Sequence, residues 1–130
     1  MTARYQIIIV TVPDKKTAHA LAEGLVENKL AACVNIIGGV RSVYRWDDEI
    51  KNSSELLLLV KTRITLTPET MLYIKENHPY SIPEILSLKI EDGNPEYLDW
   101  LGANCLFTSA PDPYRKVLPR PANPPKGLEK

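Results

Sequence analysis

Few side chains in this 130-residue sequence carry chemistry, and they fall in short strings. His78-Pro79-Tyr80 is followed by Glu84, which places an imidazole, a phenol and a carboxylate close together along the chain. Imidazole ligates copper and zinc and exchanges protons near neutral pH. Two roles are open for His78: a ring that ends a helix by bonding to a carbonyl, where the helix dipole favours the imidazolium, or a ligand in a site. Cys33, in Ala31-Ala32-Cys33-Val34, reads either as a small packed hydrophobe or as a thiol suited to a soft ion such as Cu(I). Tyr44 and Trp46 alternate onto one face of an extended segment, as aromatic anchors for a partner do. Lys61 follows the apolar run Leu56–Val60, where a cation is a strand-end charge seeking a carboxylate. His19 and Cys105 read as surface and packing residues.

Other chemistries find no footing. Gly38-Gly39 lies in strand-like sequence without the lysine and hydroxyl residue of a phosphate loop, no serine sits in a nucleophile elbow, and Asp47-Asp48 falls in a polar turn. The two histidines and two cysteines lack zinc-motif spacing, so any metal site must be assembled from distant residues. The expectation is a protein that is not an enzyme.

Sixteen acids balance sixteen bases, which excludes a strongly basic nucleic-acid binder. No apolar run exceeds that of Leu56–Val60, against the roughly 20 residues needed to span a bilayer, so membrane insertion is not expected. The first residues, MTARYQIIIV, do not have the pattern of a secretory leader, and two cysteines fit a reducing compartment, so a cytoplasmic protein is expected.

The elements that must position these residues follow from periodicity. Tyr5–Val12 is β-branched and apolar, a strand buried on nearly both faces and ended by Pro13. Asp14 can cap a helix whose Ala18, Leu21, Ala22 and Leu25 form one stripe. From Ala31 the period is two. Gly38-Gly39 permits a bulge, and the strand runs on to Trp46 with Val40, Ser42, Tyr44 and Trp46 on one face. A polar connection, residues 47–54, precedes a second long strand over Glu55–Ile64, and together they make a long hairpin arm. Thr67-Pro68-Glu69 predicts a helix start capped by Thr67, with Met71, Ile74 and His78 facing the core. Ile85–Ile90 is a strand whose Leu86, Leu88 and Ile90 share the face that Glu84 begins, and a short helix carries Tyr97, Leu98, Leu101 and Cys105.

The order β-α-β-β-α-β plus a short helix predicts an α+β, ferredoxin-like antiparallel sheet with both main helices on one face. The other face is apolar and uncovered in a single chain, which predicts a homo-oligomer. Residues 108–130 form a proline-rich, basic tail whose partner is unknown, beyond a domain of residues 1–107.

Five strings together carry a resemblance: Leu30-Ala31-Ala32-Cys33-Val34-Asn35-Ile36, Ser42-Val43-Tyr44-Arg45-Trp46, Leu59-Val60-Lys61-Thr62, His78-Pro79-Tyr80 with Pro83-Glu84-Ile85, and Tyr97-Leu98-Asp99-Trp100. In order and spacing over residues 5–106 the chain resembles the CutA divalent-cation-tolerance family. The resemblance implies a homotrimer, a link to tolerance of divalent metals through binding of copper or another divalent cation, and no established reaction. It further implies His78, Cys33 and Glu84 as metal residues, and Tyr44, Trp46, Lys61 and Tyr80 as residues of a cleft between subunits. Two departures stand out: Val10 where some members have cysteine, and Asp48 where many have glycine. A small-ligand sensor analogous to the trimeric nitrogen-regulatory P-II proteins is the alternative, resting on shared fold alone.

Overall fold

The β-branched run Tyr5–Val12 forms strand β1 near the middle of a four-stranded antiparallel sheet in the order β2-β3-β1-β4. The computed structural model describes residues 3–106; the proline-rich tail and its boundary lie outside the described residues. Along the chain, β1 is followed by helix α1 (Lys15–Glu27), strands β2 (Cys33–Trp46) and β3 (Glu49–Arg63), a 3-10 turn (Ile64–Leu66), helix α2 (Thr67–Asn77), strand β4 (Ile85–Ile90) and helix α3 (Pro95–Ala103). This is the ferredoxin-like arrangement.

Alternation along the strands separates two faces. Ile8, Val10 and Val12 of β1 with Leu58 and Val60 of β3 turn toward α1 and α2, where they join Ala18, Leu21, Leu25, Tyr73 and Ile74 in one fully buried core. Asp14 caps α1 by accepting from Thr17 N–H at 2.8 Å. Gly24 lets α2 approach closely: a Cβ there would run into the Tyr73 hydroxyl.

The opposite face carries Ile7 and Ile9 of β1, Leu57 and Leu59 of β3, and Leu86 and Leu88 of β4, which the pairing register places together. Leu86 and Leu88 are 55% and 54% exposed, so a continuous apolar face meets solvent in the single chain. α3 crosses the end of the sheet where β1 begins, held by Arg63, whose Nη2 donates to Gly102 O at 2.8 Å.

Three local expectations are corrected. Residues 49–54 belong to β3 rather than to a polar connection, since the turn is only Asp47-Asp48, both left-handed at φ +51° and +61°. Polar side chains suit this arm because it overhangs the core and has no buried face of its own. The expected bulge does occur: the β2–β3 register shifts between Ile37 and Val40, with Gly39 at φ +75°. Thr67 does not cap α2; Leu66 holds that position. The Thr67 hydroxyl instead donates to Ile64 O (2.7 Å) and accepts from Gln6 Nε2 (2.6 Å), tying the helix start to β1. The buried face of α2 is Thr70, Tyr73, Ile74 and Asn77, and His78 lies beyond the helix in extended conformation (φ −94°, ψ 139°).

Candidate functional site

His78 leaves α2 in an extended conformation, and this swings its ring under the end of β1, where it is fully buried. Nε2 lies 2.7 Å from Thr11 O, and Nδ1 accepts from Tyr80 N–H at 3.1 Å. A nitrogen that accepts carries no proton, so the ring is the neutral tautomer with the hydrogen on Nε2, donated to Thr11. The imidazolium expected from the helix dipole is therefore not what this geometry holds. Both nitrogens are engaged, and the ring anchors the segment after α2 to the sheet.

That anchoring places Tyr80. Its ring lies 4.7 Å from that of His78, centroid to centroid, and its hydroxyl donates to Glu55 Oε2 at 2.9 Å. Desolvation first, then the hydrogen bond to Glu55, pushes the Tyr80 phenol well above its ordinary range, so it stays a donor at any physiological pH. Glu55 is 4% exposed and has no cationic partner among the described residues.

Beside this pair opens a cavity of about 520 Å³ lined by Thr11, Ser42, Tyr44, Trp46, Glu55 and Glu84, among others. Tyr44 and Trp46 reach it from the face of β2 anticipated for them, and the Tyr44 hydroxyl lies 2.9 Å from Ser53 Oγ. Glu84 arrives from the segment before β4. Desolvation at the wall, with the Glu55 charge second, raises its carboxyl above the usual range. The cavity thus brings together two carboxylates, hydroxyl oxygens, two aromatic faces and Arg45 at its wall.

Five of the seven candidate residues therefore belong to one region: Tyr44, Trp46 and Glu84 line the cavity, and His78 and Tyr80 form its support. Cys33 and Lys61 do not join them. They face each other across β2 and β3 at the level of Ile7, whereas His78 bonds at Thr11, four residues along β1. At about 3.3 Å per residue that is roughly 13 Å along the sheet. Lys61 Nζ instead sits 5.7 Å from the centre of the Tyr97 ring. Among the described residues no group of three histidine, cysteine, aspartate or glutamate side chains converges on one point. An imidazole–thiol pair is therefore not assembled within one chain, whereas the carboxylate pair is.

Glu55 is the residue that sequence reasoning missed. Its signal was present: it heads the Leu56–Val60 run, and alternation puts Glu55, Leu57, Leu59 and Lys61 in one row, acid at one end and base at the other.

A family model described as CutA1 divalent ion tolerance protein matches residues 6–104. A divalent-cation tolerance protein CutA from Thermus thermophilus is 48% identical over 99 residues, covering 76% of this chain and 96% of that protein. Protein CutA 1, chloroplastic, from Oryza sativa is 43% identical over 95 residues, covering 73% of this chain and 54% of that one. Among solved structures, the Thermus thermophilus protein superposes with a TM-score of 0.77 at 48% identity, covering 78% of this chain and 98% of the other. CutA1 from Oryza sativa superposes with a TM-score of 0.80 at 39% identity, covering 82% and 98%. With the family pattern running from the start of β1 to the end of α3, and the same fold in relatives of this identity, the chain belongs to the CutA1 divalent-ion-tolerance family.

Proposed function

We propose that this protein serves divalent-cation tolerance as a non-enzymatic, cation-binding homotrimer, with the ion held on oxygen in the Glu55–Glu84 cavity. The observation that carries this reading is the pairing of Glu84 with the buried Glu55, two carboxylates in one cavity whose wall also includes Arg45, with no ion pair to either carboxylate among the described residues. Two such carboxylates repel, and a divalent ion between them relieves both charges. The Ser42 and Tyr44 hydroxyls stand by as further oxygen ligands, a donor set for Cu(II) and harder divalent ions rather than Cu(I). Within one chain, soft coordination through His78 and Cys33 does not form, since the ring is engaged at both nitrogens and the thiol lies at the other end of the sheet.

The non-enzymatic reading is supported by His78: the imidazole best placed for acid–base work is tied up at both nitrogens. Self-association is supported by the exposed apolar sheet face, and the number three comes from the family resemblance. No helix among the described residues is long and apolar enough to cross a membrane. A cytoplasmic site is supported by two cysteines that are unpaired, although relatives carry names placing them in the chloroplast or periplasm.

Calorimetric titration of metal-free protein with Cu(II) tests the site. Glu84→Gln and Glu55→Gln are expected to weaken binding at least tenfold, with Cys33→Ser unchanged. Loss of binding in Cys33→Ser with full binding in Glu84→Gln overturns it.

A further inference from the structure

On the helix side of the sheet, α1 and the first residues of β2 leave a groove of about 500 Å³ that shares no residue with the cavity described above. Its apolar lining is Ala22 and Val26 of α1 with Val34 and Ile36 of β2, and Val26 is 42% exposed. Glu23 and Glu27 add two carboxylates from the helix, and His19 stands at the far end.

The described chain ends beside this groove. Leu106 N–H donates to Lys29 O at 2.9 Å, two residues beyond the end of α1 at Glu27, and its side chain packs against the main core. Residues 107–130 thus begin at the Glu27 end of the groove. The family match stops at residue 104, so this segment belongs to the chain and not to the shared pattern. It holds five bases and two acids, and Tyr114-Arg115-Lys116-Val117-Leu118, between Pro113 and Pro119, is the string that sets three bulky apolar residues around two bases.

We infer that residues 114–118 dock in the groove of their own chain, with Tyr114, Val117 and Leu118 on the apolar lining and Arg115 and Lys116 meeting Glu23 and Glu27. Reach and charge both fit. Residues 107–113 extend to roughly 25 Å at most, while the groove from Glu27 to His19 follows eight residues of helix, roughly 12 Å. Lys29 stands at the entrance, so the two bases gain only by lying farther along, beside the carboxylates. Prolines on both sides of the string fix φ and lower the entropy lost when it is held. The docked string lies opposite the apolar sheet face and leaves the cation cavity untouched, so it stands or falls separately from cation binding.

Trypsin reads this docking in the full chain. A free peptide of residues 107–130 gives the intrinsic ratio of cleavage after Arg115 and Lys116 to cleavage after Lys126. In the folded chain that ratio is expected to fall at least tenfold, because a held string must leave the groove before it enters the protease. Glu23→Gln/Glu27→Gln, at two exposed helix positions, creates no new cleavage site and is expected to return the ratio at least threefold toward that of the peptide, with circular dichroism confirming the fold. Carbodiimide coupling is expected to join the Lys116 amine to Glu23 or Glu27 in the band of single-chain mass on a denaturing gel. A wild-type ratio equal to that of the peptide, full protection in the glutamine variant, or a single-chain band lacking that cross-link overturns the proposal.

Discussion

At the scale of single residues, the cavity depends on groups whose protonation is set by their surroundings. Glu84 faces Glu55, with Tyr80 and Tyr44 nearby, and its carboxyl is raised in the folded chain. A raised carboxyl means that the folded state binds the proton more tightly than the unfolded state, so stability falls as pH rises through that window. Glu84→Gln removes the charge. Denaturant melts of the metal-free chain kept monomeric by Leu88→Asp should show Glu84→Gln more stable than its parent at pH 7, with the difference gone below about pH 4, where the unfolded carboxyl is also protonated. His78 behaves differently. His78→Ala leaves Thr11 C=O and Tyr80 N–H without their partner and opens a void, at a cost of about 2–4 kcal/mol in chemical denaturation. The sequence placed His78, Tyr80 and Glu84 together, because seven consecutive residues cannot stray far. It did not decide the ring's role, because that rests on Thr11, 67 residues away. Glu55 was hidden for a related reason: an acid before an apolar run looks like an ordinary solvated strand end until Tyr80 is seen to cover it.

At the scale of elements, alternation and turn chemistry located nearly every strand, since β1, β2 and β4 carry an apolar face with period two. The arm was misjudged where the polar residues Lys51–Ser54 lie in a strand with no core beneath it. Its tip is a two-residue turn with both residues left-handed, a conformation glycine adopts at little cost and aspartate less readily. Asp48→Gly should therefore raise stability by about 0.5–1 kcal/mol in urea unfolding, with no effect on cation affinity. The contact between α1 and α2 gives an opposite case. Gly24→Ala drives a methyl into the Tyr73 hydroxyl, an overpacking cost of about 1–3 kcal/mol. Adding Tyr73→Phe should return part of it, because the ring carbon at 3.1 Å remains. Sequence reading placed Ile74 in the core correctly but missed Tyr73 and Asn77: stepping from Met71 to His78 by helical spacing assumes that the helix continues, whereas it ends at Asn77 and His78 is buried from the segment beyond it.

At the scale of the whole molecule, the apolar sheet face has no second layer within the chain, and the proposed self-association would cover it. Burying a leucine side chain is worth about 1.5–3 kcal/mol, and Leu88 is exposed on that face, on the edge strand β4 beside Ile7. Leu88→Asp should convert the assembly to monomers in size-exclusion chromatography with light scattering, while the far-ultraviolet spectrum remains that of a folded chain. The uncovered apolar face was legible in the sequence, since the strands are apolar on both faces and both main helices pack on one. Where Glu55, Glu84 and Lys61 stand on that face was not, because it depends on the register of β1, β3 and β4. Within one chain the same register separates Cys33 from His78, and the cation site proposed above rests on the carboxylate pair. Anomalous diffraction from crystals of the assembled protein soaked in Cu(II) tests this most directly: the account predicts a peak within coordination distance of Glu84 and Glu55, and a peak on Cys33 or His78 with none in the cavity contradicts it.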